Sequence, residues 1–155
     1  MADLSDLLRP DAVQTGLVVA SKKALFAHAA AGLAAQTGVD PRAIAAALAA
    51  REKLGSTGFG GGVAIPHAKV IGVAQVTASF LTLAKPLDFA AVDGVPVDMV
   101  WAQLSPPNAG ADHLKALARV SRRLRDRAFL AKLRGAGSPD ALYALFTTDQ
   151  TRDAA

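Results

Sequence analysis

The chain has 155 residues, 52% hydrophobic but only 5% aromatic, with a formal net charge of +4 and no cysteine. That length suits a single domain, 1–155, able to bury about 68–70% of the surface its unfolded chain exposes; the core has to be built mainly from Ala, Val, Leu and Ile, and disulfides and thiolate chemistry are excluded. The longest largely apolar stretch, Val70 to Ala84, is broken by Gln75, Thr77, Ser79 and Thr82, and the N-terminus is acidic rather than basic, so the reading is a cytoplasmic protein with neither a membrane insertion nor a secretion signal.

Taken in order, Leu4, Leu7 and Leu8 before Arg9-Pro10 suggest a short helical turn closed by proline, and Thr15 to Ala20 reads as a short strand. Ser21 is a cap for a helix to about Gln36, with Leu25, Ala29 and Leu33 on one face and Gly38 as its stop. Asp40-Pro41 restarts a helix that Gly55 ends, which puts Arg51 in its last turn. Val63 to Pro66 is extended, because Pro66 disfavours a helical Ile65. Val76 to Leu83 reads as a strand and Pro86 to Phe89 as an edge segment; Asp93-Gly94 signals a hairpin into a buried strand, Val95 to Leu104.

Beyond a loop at Ser105 to Gly110, Asp112 is expected to cap a helix to about Arg125. Its apolar stripe is His113, Leu117, Val120 and Leu124, with Lys115, Arg119, Arg122 and Arg123 across the other side. Phe129, Leu130 and Leu133 make a short helix ended by Gly135, Ser138-Pro139 caps a last one, and residues 149–155 form a polar tail. Strands interleaved with helices predict an α/β sandwich: a mixed parallel and antiparallel sheet of about five strands with helices on both faces. Trp101 and Phe80 fall in its core.

Charge is concentrated late in the chain. Ala111 to Arg134 carries +6, leaving −2 for the rest. Without interleaved aromatics this face reads as solvated or as a docking surface for an acidic partner rather than a nucleic-acid site.

The unusual stretch is Gly55-Ser-Thr-Gly-Phe-Gly-Gly-Gly-Val-Ala-Ile-Pro-His-Ala-Lys69, with five glycines and two hydroxyls in eight residues before a proline delivers His67. Such a loop offers amides to an anion. It matches neither a Walker A loop nor a dinucleotide fingerprint, since an extended run follows the glycines. His28, His67 and His113 lack metal-ligand spacing, so no metal or other cofactor is expected, and no Gly-x-Ser-x-Gly elbow is present. His67 as a nucleophile toward phosphorus fits better. The phosphoryl oxygens would meet amides of the loop at Gly58 and Gly60, the hydroxyls of Ser56 and Thr57, and the Arg51 guanidinium. The plainer alternative is a surface histidine beside a flexible loop, or a module that holds an anion without chemistry. By periodicity alone His113 is a packing residue; His28 is structural or exposed, and Lys69 is solvated.

Arg51-Glu-Lys-Leu-Gly-Ser-Thr-Gly-Phe-Gly-Gly-Gly-Val-Ala-Ile-Pro-His67-Ala-Lys resembles the active-site signature of the enzyme IIA domains of the bacterial phosphotransferase system, fructose/mannitol/nitrogen class. Ser21-Lys-Lys, Asp93-Gly94 and His113-Leu…Ser121-Arg-Arg-Leu124 extend the resemblance over nearly the whole chain, which looks most like the stand-alone nitrogen-regulatory branch. Phe59, Gly61 and Ala68 depart from the usual Ile, Asn and Gly. The resemblance implies that His67 accepts a phosphoryl group from an HPr-like phosphocarrier protein, with Arg51 holding its oxygens and His113 assisting through a hydrogen bond. It further implies a regulatory switch acting on protein targets such as potassium-transport regulators, or alternatively a sugar-transport role passing phosphate to a separate IIB.

Overall fold

The computed structural model describes residues 4–148; the polar tail expected at 149–155 lies outside them. In chain order the elements are β1 (Leu8–Leu17), α1 (Lys22–Thr37), α2 (Pro41–Leu54), β2 (Gly58–Gly60), β3 (Val63–Ala64) and β4 (His67–Lys69). There follow β5 (Thr77–Leu87), β6 (Val97–Ser105), α3 (Ala111–Leu124), α4 (Arg127–Gly135) and α5 (Pro139–Thr147).

The strands form one mixed sheet in the order β1-β5-β6-β3-β2, with β4 also on β6. The β1/β5, β3/β6 and β4/β6 pairs are parallel, whereas β2/β3 and β5/β6 are antiparallel. Six strands appear where about five were expected, because Pro66, which has no N–H to give, splits one extended run into β3 and β4 along the same edge of β6. Side chains alternate between two cores. Phe80, Met99, Trp101 and Val63 face α3, α4 and α5, with the Phe146 ring 4.6 Å from Phe80 and 5.3 Å from Trp101. Leu81, Val100, Ala102 and Leu104 face α1 and α2. The sandwich and its helices on both faces are therefore as expected.

Local caps also match. The Ser21 hydroxyl accepts from the Ala24 amide at 3.1 Å, Asp40 from Arg42 at 2.9 Å and Ser138 from Ala141 at 3.2 Å, while Gly38 closes α1 at φ 76°. Four expectations need correction. The first strand occupies Leu8–Leu17 rather than 15–20: Leu8, Ala12 and Val13 are buried, Pro10 sits in a register irregularity of an edge strand, and Val18 is exposed. Pro86 to Phe89 is no edge segment, since β5 runs between β1 and β6 through Leu87 and Phe89 is fully buried. Gly110 occupies the cap position of α3, which leaves Asp112 in the first turn, where it complements the helix dipole instead. Arg123 is 4% exposed, its guanidinium 4.0 Å over the Phe129 ring and donating to the Leu145 carbonyl at 3.2 Å, so it leaves the solvated basic face; Arg119 is held there by a bidentate pair with Asp6 at 2.8 and 2.9 Å.

Candidate phosphoryl-acceptor site

His67 opens β4, level with Gln103 of β6. Its Nδ1 donates to the Ile65 carbonyl at 2.7 Å. A carbonyl can only accept, so Nδ1 carries the proton of the neutral ring and Nε2 keeps its lone pair. Burial pushes the His67 pKa below 6.5; the bond to Ile65 pulls it back up, the Arg51 charge lowers it and the Glu52 charge raises it. His113, in the first turn of α3, brings its ring centroid to 5.5 Å from that of His67, at 49°. Its Nδ1 shares a 2.5 Å hydrogen bond with the buried Ser105 hydroxyl at the end of β6. Its pKa is also lowered, first by burial, then by His67 and Lys69. Strand β6 thus registers one histidine through β4 and orients the other through Ser105.

Arg51 lies in the last turn of α2, where its Nη1 donates to the Gly55 carbonyl at 2.9 Å. This ties the side chain to the residue that ends the helix and anchors the guanidinium where its charge acts on His67. Beside it stands a carboxylate that sequence reasoning passed over. Glu52 is buried; it takes a 2.8 Å ion pair from Lys22 and accepts from Thr57 through both the hydroxyl, at 2.6 Å, and the amide, at 3.2 Å. An acidic residue in the last turn of a helix opposes the dipole, which is the signal that could have marked it.

The Thr57 hydroxyl proton is therefore committed to Glu52, the Ser56 hydroxyl donates to the Phe89 carbonyl, and the Gly58 amide donates to Ser56 Oγ at 3.1 Å. Gly60 is not brought to His67. It lies at the tip of the β2–β3 hairpin, opposite Val63, which is about 13 Å of strand from His67. What does converge on His67 is a cavity of about 200 Å³ between Ser56 and Thr57 on one side and Leu117, Ser121 and Arg125 of the α3 end on the other. Neither the Arg125 guanidinium nor the Ser121 hydroxyl has a side-chain partner among the described residues. Both were missed as site residues because only tertiary packing brings α3 over β4. Among the described residues no group of three or more His, Asp or Glu could hold a metal, and no helix is long and apolar enough to cross a membrane.

Residues 6–148 match the family described as "Phosphoenolpyruvate-dependent sugar phosphotransferase system, EIIA 2". The chain belongs to this family. Within it, the chain is 45% identical over 142 residues to a nitrogen regulatory protein of Bradyrhizobium diazoefficiens, covering 92% of this chain and 93% of that one. It is 35% identical over 154 residues to a nitrogen regulatory protein of Escherichia coli, covering 98% and 94%. The crystal structure of nitrogen regulatory protein IIA-Ntr from Neisseria meningitidis superposes with a TM-score of 0.87 at 34% identity, over 92% of this chain and 97% of that one. Membership of the enzyme IIA family carries a phosphocarrier role, and the nitrogen-regulatory relatives are the branch this chain resembles over its full described length.

Proposed function

We propose that this enzyme IIA protein carries a phosphoryl group on Nε2 of His67, taken from the phosphohistidine of an HPr-like carrier, and that its phosphorylation state governs binding to other proteins, potassium-transport regulators among them. The observation that carries the reading is the 2.7 Å bond from Nδ1 to the Ile65 carbonyl, which leaves Nε2 as the nucleophilic nitrogen of a ring kept neutral by burial. In the transfer, the His67 Nε2 lone pair attacks phosphorus in line, the N–P bond to the donor breaks, and the donor imidazole leaves with that electron pair. Nδ1 keeps its proton, and the Ile65 carbonyl stabilises the positive charge that the ring gains.

Arg51 neutralises the phosphoryl oxygens from the α2 side, and Arg125 and Ser121 supply donors from across the cavity. When the Ser105 hydroxyl donates to Nδ1 of His113, Nε2–H of His113 becomes a further donor to the phosphoryl group. Ser56 and Thr57 act chiefly by fixing the loop, because their hydroxyl protons are taken. The phosphoryl group adds about −1.5 to −2 charge at a site rimmed by arginines, enough to favour or forbid a partner surface.

Incubation with phosphoenolpyruvate and a purified phosphorelay tests the reading. The expected result is an acid-labile phosphate absent from folded His67→Ala; folded wild-type protein that takes no label, yet still binds anions, would make this a binding module.

A further inference from the structure

A second cavity lies away from His67, between α1 and α2. It encloses about 590 Å³, within the range of small-molecule sites. Its chemistry is sharply divided. Phe26, Ala45, Ala46 and Ala49 form an apolar trough, and Lys22, Lys23, Glu52 and Lys53 gather at one end, because the start of α1 and the finish of α2 meet there. Glu52 is already neutralised by Lys22 at 2.8 Å, whereas Lys23 and Lys53 have no hydrogen-bond or ion-pair partner among the described residues. No acidic residue stands in the first turn of α1, so the helix dipole adds to the positive end. From Ala45 to Lys53 the trough spans about 12 Å of helix, the length of a medium alkyl chain.

We propose that this groove binds a medium-chain carboxylate, its head group among Lys22, Lys23 and Lys53 and its tail along Phe26, Ala45, Ala46 and Ala49, and that occupancy loosens the Lys22–Glu52 pair. A second carboxylate within reach of Lys22 competes with Glu52 for one ammonium. That ammonium also donates to the Phe89 carbonyl at 3.1 Å, the same oxygen that accepts from Ser56. Glu52 in turn holds the Thr57 amide and hydroxyl, and Ser56 and Thr57 line the cavity at His67. Glu52 left without its counter-ion faces the incoming phosphoryl group as an uncompensated negative charge, so the occupied groove disfavours transfer. This coupling rests on the phosphocarrier reading; binding itself does not.

The test titrates decanoate, below its micelle concentration, into the unphosphorylated protein by calorimetry and amide NMR. The expected result is one saturable site, with shifts in α1, the last turns of α2 and Thr57. Decanol, which lacks the charge, binds at least about tenfold more weakly. Lys23→Ala/Lys53→Ala weakens decanoate by roughly tenfold. Ala49→Leu, or Ala46→Leu at the exposed wall should the first variant lose its circular-dichroism spectrum, removes binding by filling the trough. Non-saturable uptake, equal affinity for decanol, or unchanged binding in the filled variant overturns the site. In the phosphorelay, decanoate at saturation slows labelling by roughly fivefold; an unchanged rate with the groove occupied overturns the coupling. Absence of labelling without decanoate counts against the phosphocarrier reading alone, and the binding arm then decides the site.

Discussion

At the tip of the β2–β3 hairpin, Gly60, Gly61 and Gly62 have φ of 115°, 69° and 81°. The Gly61 amide donates to Asp93 at 3.0 Å and its carbonyl accepts from Arg134 at 2.6 Å, while Arg134 pairs with Asp98 at 3.0 Å. At the hairpin's open end, Ser56 and Thr57 are tied to Phe89 and Glu52, and His67 follows two residues after Ile65 pairs its amide with Thr57. One glycine-rich stretch thus holds two regions with separate purposes. The tip needs glycine for a left-handed turn under an arginine, and the open end presents His67, the proposed nucleophile. Glycine density marked the neighbourhood of the candidate site, but the glycines at the tip serve geometry.

Substitutions at the two ends should separate accordingly. The largest expected effect is at the open end: Arg51→Ala slows phosphoryl acceptance by roughly a hundredfold with the melting temperature little changed, measured by rapid-quench labelling, and wild-type kinetics would remove Arg51 from the site. Gly62→Ala acts at the tip, where a Cβ would lie 2.5 Å from Arg134 Nη2 and 3.0 Å from Asp98 Oδ1 in a left-handed backbone. It should destabilise the fold by about 2 kcal/mol, a Tm lower by roughly 4–8 °C, and leave labelling of the folded protein within about twofold. A large loss of labelling without loss of stability would join the two regions again. Arg125→Ala should slow acceptance by about tenfold, with Arg125→Lys recovering part of it; no change would confine the phosphoryl contacts to the α2 side.

The smallest effect is in pH dependence. Both His67 and His113 titrate below 6.5 in the fold, burial being the main cause for each. Between the folded values and about 6.5 the unfolded chain binds more protons, so their contribution is complete above about pH 6.5 and is lost as pH falls through the folded values. Denaturant midpoints should be flat from about pH 8 to 7 and then decline. The decline should be shallower in His67→Gln/His113→Gln; an identical decline would place the acid sensitivity elsewhere.

The parts of this molecule that are legible in the sequence are those whose causes are local. Ser21, Gly38, Asp40-Pro41 and Ser138-Pro139 announce helix ends because a cap bonds within four residues of itself. Arg51 and His67 could be proposed together because both belong to one continuous stretch. The start of β1 was hidden because its pairing partner, β5, lies some seventy residues on and overrides Pro10. Arg123 looked solvated until α5 and Phe129 covered it. Arg125 and Ser121 line the cavity at His67 only by packing of α3, and the Lys22–Glu52 pair joins two helices across the α1–α2 turn; no spacing rule records either arrangement.

In the proposed phosphocarrier role, the bond from Nδ1 to the Ile65 carbonyl leaves Nε2 to take the phosphoryl group. Nitrogen-15 and phosphorus-31 NMR of the phosphorylated, histidine-labelled protein tests it directly. The expected result is phosphorus bonded to Nε2 of His67 with Nδ1 still protonated; phosphorus on Nδ1, or on another residue, would overturn this assignment.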